Sequence, residues 1–124
     1  MKNYLAVFLG GGIGSGLRYW LSGFIPKYAG SEFPYGIFVV NIIGCFLIGL
    51  FMSALEERFI VTPVLRIFLT VGILGGFTTF STFSYESIAL LRDAELLKAG
   101  LYIGGTVTVC LAGTYAGSVI GRYF

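Results

Sequence analysis

The chain alternates long uncharged apolar runs with short clusters of charge, and this pattern leaves few folds open to it. Tyr35 to Leu55 is about 21 residues without a formal charge, Ile67 to Tyr85 about 19 and Ala99 to Gly121 about 23, where roughly 20 helical residues at about 1.5 Å each cross a hydrocarbon core. A segment in lipid must satisfy its backbone N–H and C=O groups internally, so runs of this length fold as helices. The charged residues stand between the runs, at Lys2, Arg18, Lys27 and Glu32, Glu56 to Arg66, Glu86 to Lys98, and Arg122. Only 11% of the 124 residues are charged, against about 25% in a soluble domain, which is too little to clothe a water-facing surface. The reading is an all-α membrane protein of four transmembrane helices, one domain over residues 1–124, with spans at about 3–26, 35–55, 63–91 and 97–122.

The first span is the least clean, because Arg18 interrupts it and Tyr19 to Ile25 continues it. A short apolar N-terminus also matches a cleaved secretory signal. Gly10, Gly11, Gly12, Gly14 and Gly16 suit close helix packing better, and an arginine toward the end of a span can snorkel to the interface. Other classes fall away on residue type. Cys45 and Cys110 both lie inside spans and read as packing residues, with neither a disulfide framework nor a zinc site implied. The glycines match no phosphate-binding or dinucleotide fingerprint. Histidine, the commonest acid/base residue and metal ligand, is absent. The net charge of +2 is scattered, so no nucleic-acid partner is expected. The expectation is that the chain is not an enzyme.

Four spans place Lys2, Arg58, Arg66 and Arg122 on one side and Arg18, Lys27, Arg92 and Lys98 on the other. The positive-inside rule then gives no preferred orientation. Either a subtle asymmetry decides, or the chain inserts both ways and pairs as an antiparallel homodimer, with a two-fold axis in the membrane plane. Glycines four apart at Gly113/Gly117/Gly121, Gly12/Gly16, Gly72/Gly76 and Gly100/Gly104 predict smooth faces for helix contact.

The third span carries the densest chemistry. Residues 72–86 read GILGGFTTFSTFSYE. Gly72, Gly75 and Gly76 weaken a helix at a depth where freed carbonyls survive only against protein, water or an ion, so a break near the middle of this span is expected. With helix resuming after Thr78, Phe77, Phe80 and Phe83 follow at i, i+3, i+6, beside a polar strip of Thr79, Thr82 and Glu86 with Ser81 and Ser84. Such a stripe is either packing, with hydroxyls bonded to the preceding turn, or the wall of a polar path. Asn41 in the second span is an interhelical hydrogen bond or an ion ligand. Tyr102, Thr106, Cys110 and Thr114 form an i, i+4 ladder on the last span.

GGFTTFSTF at 75–83, NIIGCFLIG at 41–49 with upstream Gly36, and the glycine-rich approach to Arg18 and Tyr19 resemble the signature segments of the Fluc fluoride channels. The resemblance covers essentially the whole chain and is most specific in GGFTTFSTF. It implies a passive fluoride exporter of a bacterial inner membrane, multi-pass, surrounded by lipid and built as a dual-topology antiparallel homodimer with two pores. By family similarity Phe80 and Phe83 offer ring edges to fluoride, Asn41 its amide, and Ser81 and Thr82 their hydroxyls. Glu86, Tyr102, Thr106 and Thr114 continue the path, and Arg18 stands at a wide aqueous vestibule. Cys110 departs from the hydroxyl residue expected at its rung. Backbone carbonyls of Gly75 and Thr78 resemble the family's central Na⁺ site, a structural cofactor on the dimer axis. Two rival functions are a proton-coupled multidrug exporter, which needs a membrane-embedded carboxylate, and an accessory subunit that transports nothing.

Overall fold

Helix accounts for nearly all of the computed structural model, which describes residues 1–57 and 61–124. Arg58, counted in the charge balance, lies outside the described residues. The elements are α1 (Lys2–Phe24), α2 (Pro26–Ala29), α3 (Tyr35–Glu57), α4 (Pro63–Ile67), a π-helical stretch (Phe68–Leu74), α5 (Gly75–Phe77), α6 (Phe80–Arg92) and α7 (Leu96–Gly121). No strand occurs among the described residues. Punctuation follows residue type. Pro26 and Pro63 open α2 and α4, where a missing N–H costs nothing. Thr62 caps α4 by accepting the Leu65 N–H at 3.3 Å. Gly30, at φ 86°, ends α2 in a conformation that suits glycine.

Three helical stretches are long and apolar enough to cross a membrane: Tyr35–Glu56, Pro63–Arg92 and Leu96–Gly121. The chain is therefore a multi-pass membrane protein. α1 has 23 residues, but its glycines and Arg18 dilute its apolar character.

Glycine decides which helices touch. A methyl on Gly117 would strike the Phe46 carbonyl and Leu50 N, one on Gly121 the Leu50 carbonyl, and one on Gly49 the Thr114 carbonyl. Residue numbers rise together on the two sides of this seam, so α3 and α7 run side by side in the same direction. α1 lies against the stretch from Phe68 to Phe77 in the same manner, with Gly10 on Phe68 and Gly72, Gly14 on Ile73 and Phe77, and Gly76 on Gly11. The stripes at Gly113/Gly117/Gly121 and Gly72/Gly76 thus form seams within the chain. Gly12, Gly16, Gly100 and Gly104 meet nothing of their own chain within 4 Å, so the helix contact expected of those faces is not made within one chain. On α1 the seam is carried by Gly10 and Gly14, because those are the glycines turned toward the third segment.

That third segment is helical straight through Gly72, Gly75 and Gly76 and stops only after Phe77. Thr78 (φ −82°, ψ 156°) and Thr79 (φ −150°, ψ 126°) are extended before α6 begins at Phe80. Gly72 and Gly76 serve close approach to α1. The break falls two residues beyond them.

Candidate functional site

An interrupted helix strands backbone polar groups, and here one side chain from α3 takes up a residue's worth of them. Asn41 donates from Nδ2 to the Thr79 carbonyl at 3.0 Å and accepts the Thr79 N–H on Oδ1 at 2.9 Å. Its amide thus mimics the peptide group that a continuous helix would have supplied, and it is buried in doing so. Thr79 then caps α6: its Oγ1 accepts the Thr82 N–H at 3.2 Å, donates to Thr82 Oγ1 at 3.2 Å and lies 3.2 Å from Ser81 Oγ. Thr78 bonds back to the Leu74 carbonyl at 3.0 Å. Two helix ends therefore face each other across Thr78 and Thr79. The carbonyl end of the stretch ending at Phe77 carries partial negative charge, and the N–H end of α6 carries partial positive charge.

The aromatic residues after the break divide in role. Phe80 is 76% exposed and Phe83 is 7% exposed, with ring centroids 5.5 Å apart at 56°. Phe83 leans on Tyr102 at 5.2 Å, and Phe33 meets the same tyrosine edge-on at 5.5 Å. Tyr102 is fully buried and donates its hydroxyl to Glu86 Oε2 at 2.6 Å. Phe77 does not continue this stripe. It precedes the break and is buried beside Gly14 and Gly44.

Two clefts meet this wall. One, of about 320 Å³, is lined by Asn41, Thr79, Phe80, Phe83 and Thr106, with Cys45 and Cys110 beside them. The hydroxyl of Thr106, one turn beyond Tyr102, is the buried side-chain polar atom without a hydrogen-bond partner among the described residues. A polar atom left unpaired in an apolar medium is costly unless something visits it. The second cleft, of about 480 Å³, opens near the end of α1 and is lined by Ser22, Glu32, Phe33, Thr82, Glu86 and Asp93. Thr82 and Glu86 line the larger cleft, Glu86 accepts from Tyr102, Tyr102 packs on Phe83, and Phe83 lines the smaller cleft with Thr106 and Asn41.

Other singled-out residues stand apart from these contacts. Ser81 is exposed, and Thr114 is half-buried and lines neither cleft, its carbonyl packed on Gly49. Arg18 is half-buried on α1, one turn before Ser22. Gly75 and Thr78 share a hollow of about 220 Å³ with Gly44, Cys45, Thr70 and Leu74. No group of three or more His, Cys, Asp or Glu gathers among the described residues. A hard cation near the break would therefore depend on backbone carbonyls. Phe33, in the loop before α3, escaped the sequence reading because nothing in its local pattern says that it folds onto Tyr102.

A family model described as CrcB-like protein, Camphor Resistance (CrcB), matches residues 5–118. The chain is 50% identical to "Fluoride-specific ion channel FluC" of Geotalea daltonii, over 99% of each chain. It is 47% identical to the protein of the same name from Geobacter sulfurreducens over 98% of each, and 46% identical to that from Aquifex aeolicus over 94% of each.

Proposed function

Because the chain belongs to the CrcB-like family, we propose that it is a fluoride-selective passive channel of a bacterial inner membrane that lets fluoride leave the cytoplasm. The observation that carries this reading is the unpartnered Thr106 hydroxyl, buried in a cleft with Asn41, Phe80 and Phe83 beside the N-terminal end of α6. Fluoride is small and strongly hydrated, so a route through lipid must replace its water with fixed donors. Thr106 has a hydroxyl to give, and Asn41 keeps one amide hydrogen beyond the one committed to Thr79. The rims of Phe80 and Phe83 are the positive part of an aromatic quadrupole, and the α6 terminus adds partial positive charge. Thr82 and Glu86 line the approach from the larger cleft, with Tyr102 between the two clefts and Ser81 beside the α6 terminus. Thr114 extends the track along α7, and Arg18 draws anions toward the vestibule. The names of the relatives favour a channel over a multidrug exporter or an accessory subunit.

In this reading α1 is a fourth membrane span and the working unit is an antiparallel homodimer with two pores, inserted in both orientations. The even division of Lys and Arg supports it. So do the open glycine faces of α1 and α7 and the exposure of Phe80 and Gly75, which are surfaces ready for a second copy. Na⁺ fits the carbonyl end that closes at Phe77. Gly75 and Thr78 would hold it through backbone oxygens, and its charge would offset helix-end carbonyls at the dimer centre.

Fluoride efflux from liposomes, measured against chloride, tests the reading. Wild type should pass fluoride and exclude chloride. Phe80→Met and Phe83→Ile keep approximate volume but remove the electropositive rim, so efflux should collapse while size exclusion still reports the folded dimer. Wild-type efflux from both variants would return the pair to packing.

A further inference from the structure

Cys45 and Cys110 are the chain's two cysteines, and nothing in the channel reading uses either thiol. The same-direction packing of α3 and α7 sets them together. Cys45 stands one turn beyond Asn41 and Cys110 one turn beyond Thr106. Both side chains are half-buried and unbridged, and both line the 320 Å³ cleft.

A pair of sulfurs with no third ligand selects narrowly among metals. No Asp, Glu or further Cys joins them among the described residues, so an ion that demands four ligands, such as Zn²⁺, is poorly served. Soft ions that accept two sulfurs in line are well served. Charge narrows the choice further, because net charge is expensive away from water. A divalent ion that displaces two thiol protons leaves a neutral bis-thiolate, whereas a monovalent ion would leave a net negative charge beside the cleft.

We propose that Cys45 and Cys110 form a two-coordinate binding site for a soft divalent cation of the Hg²⁺ class, which enters the cleft, ties α3 to α7 and closes the anion route. Each S–H bond breaks with its electron pair left on sulfur, and that pair forms the S–Hg bond. Two protons pass to water for each ion bound, and nothing is oxidised or reduced. The closure rests on the proposed channel reading; the binding does not.

The test uses purified full-length protein mixed with equimolar mercuric chloride, then gel-filtered in a competing monothiol. Mercury per chain is counted by elemental mass spectrometry. Wild type should retain one mercury per chain. Cys45→Ser and Cys110→Ser should each retain at least about tenfold less, since a singly held ion exchanges with the monothiol. Equal retention by either single variant, or none by folded wild type, overturns the paired site. In liposomes, mercury should abolish wild-type fluoride efflux, reversibly with a dithiol, and leave each variant near its own untreated rate. Retained mercury with undiminished efflux overturns the closure. Retained mercury in a protein that passes no fluoride under any condition overturns the channel reading and supports the site.

Discussion

Asn41 is where a single side chain bears most on the structure, because it stands in for backbone. Replacing it with alanine leaves both the N–H and the C=O of Thr79 without partners, and each unsatisfied buried group costs about 1–3 kcal/mol. We therefore expect Asn41→Ala to lose roughly 2–5 kcal/mol of stability as well as fluoride efflux. Asn41→Asp should fare little better, since it keeps the acceptor for Thr79 N–H and turns a second oxygen toward the Thr79 carbonyl. Thermal unfolding in detergent is the measurement, and a wild-type midpoint for Asn41→Ala would mean that the break holds itself. Phe80 gives the complementary case. At 76% exposed it supports little of the isolated chain, so loss of efflux in Phe80→Met with an unchanged midpoint would point to the anion. Phe83, wedged on Tyr102, mixes the two effects.

Among the elements, the seam between α1 and the third segment has the least room to adjust. A Cβ on Gly14 would collide with the Ile73 carbonyl and approach Phe77 N at 2.8 Å, so Gly14→Ala must push α1 away. Overpacking of this kind costs about 1–3 kcal/mol. Gly12→Ala, two residues away, meets nothing of its own chain within 4 Å, so in the dissociated monomer it should be neutral or better by up to about 1 kcal/mol from helix propensity, whatever it costs the proposed contact with a second copy. Comparing their unfolding midpoints checks the seam, and equal midpoints would contradict it. This pair also marks how far the sequence can be read. The apolar runs that become α3, the third segment and α7 are legible because length and missing charge are properties of the segment alone. A glycine stripe declares that a smooth face exists, whereas which helix meets it depends on rotation about the axis, so Gly12/Gly16 reads as well as Gly10/Gly14. The break at Thr78–Thr79 is displaced from the glycines because Asn41, 38 residues upstream, makes that position affordable. That Cys45 and Cys110 share a cleft is set by register between helices, and the nearness of Phe33 to Tyr102 by how the loop before α3 folds back, and no local pattern encodes either.

For the whole molecule, orientation is the property most open to a small perturbation. Lys2, Arg58, Arg66 and Arg122 balance Arg18, Lys27, Arg92 and Lys98, so two lysines added near one terminus should drive most chains into a single orientation and abolish homodimer efflux. Co-expression with an oppositely biased variant should restore it, and a biased variant that works alone would end the dual-topology proposal. The same-direction pairing of α1 with Phe68–Phe77, and of α3 with α7, has a further consequence for biogenesis. Each helix lies against a partner that is not its chain neighbour, so the two pairings are interleaved along the nascent polypeptide. When α3 leaves the translocon its groove at Gly49 has no occupant, and it must wait in lipid until the last helix is made. A chain released by a stop codon at Glu95 would hold one completed seam and one vacant groove. Membrane quality control should remove it faster than the full-length chain, which a pulse-chase comparison of the two would reveal.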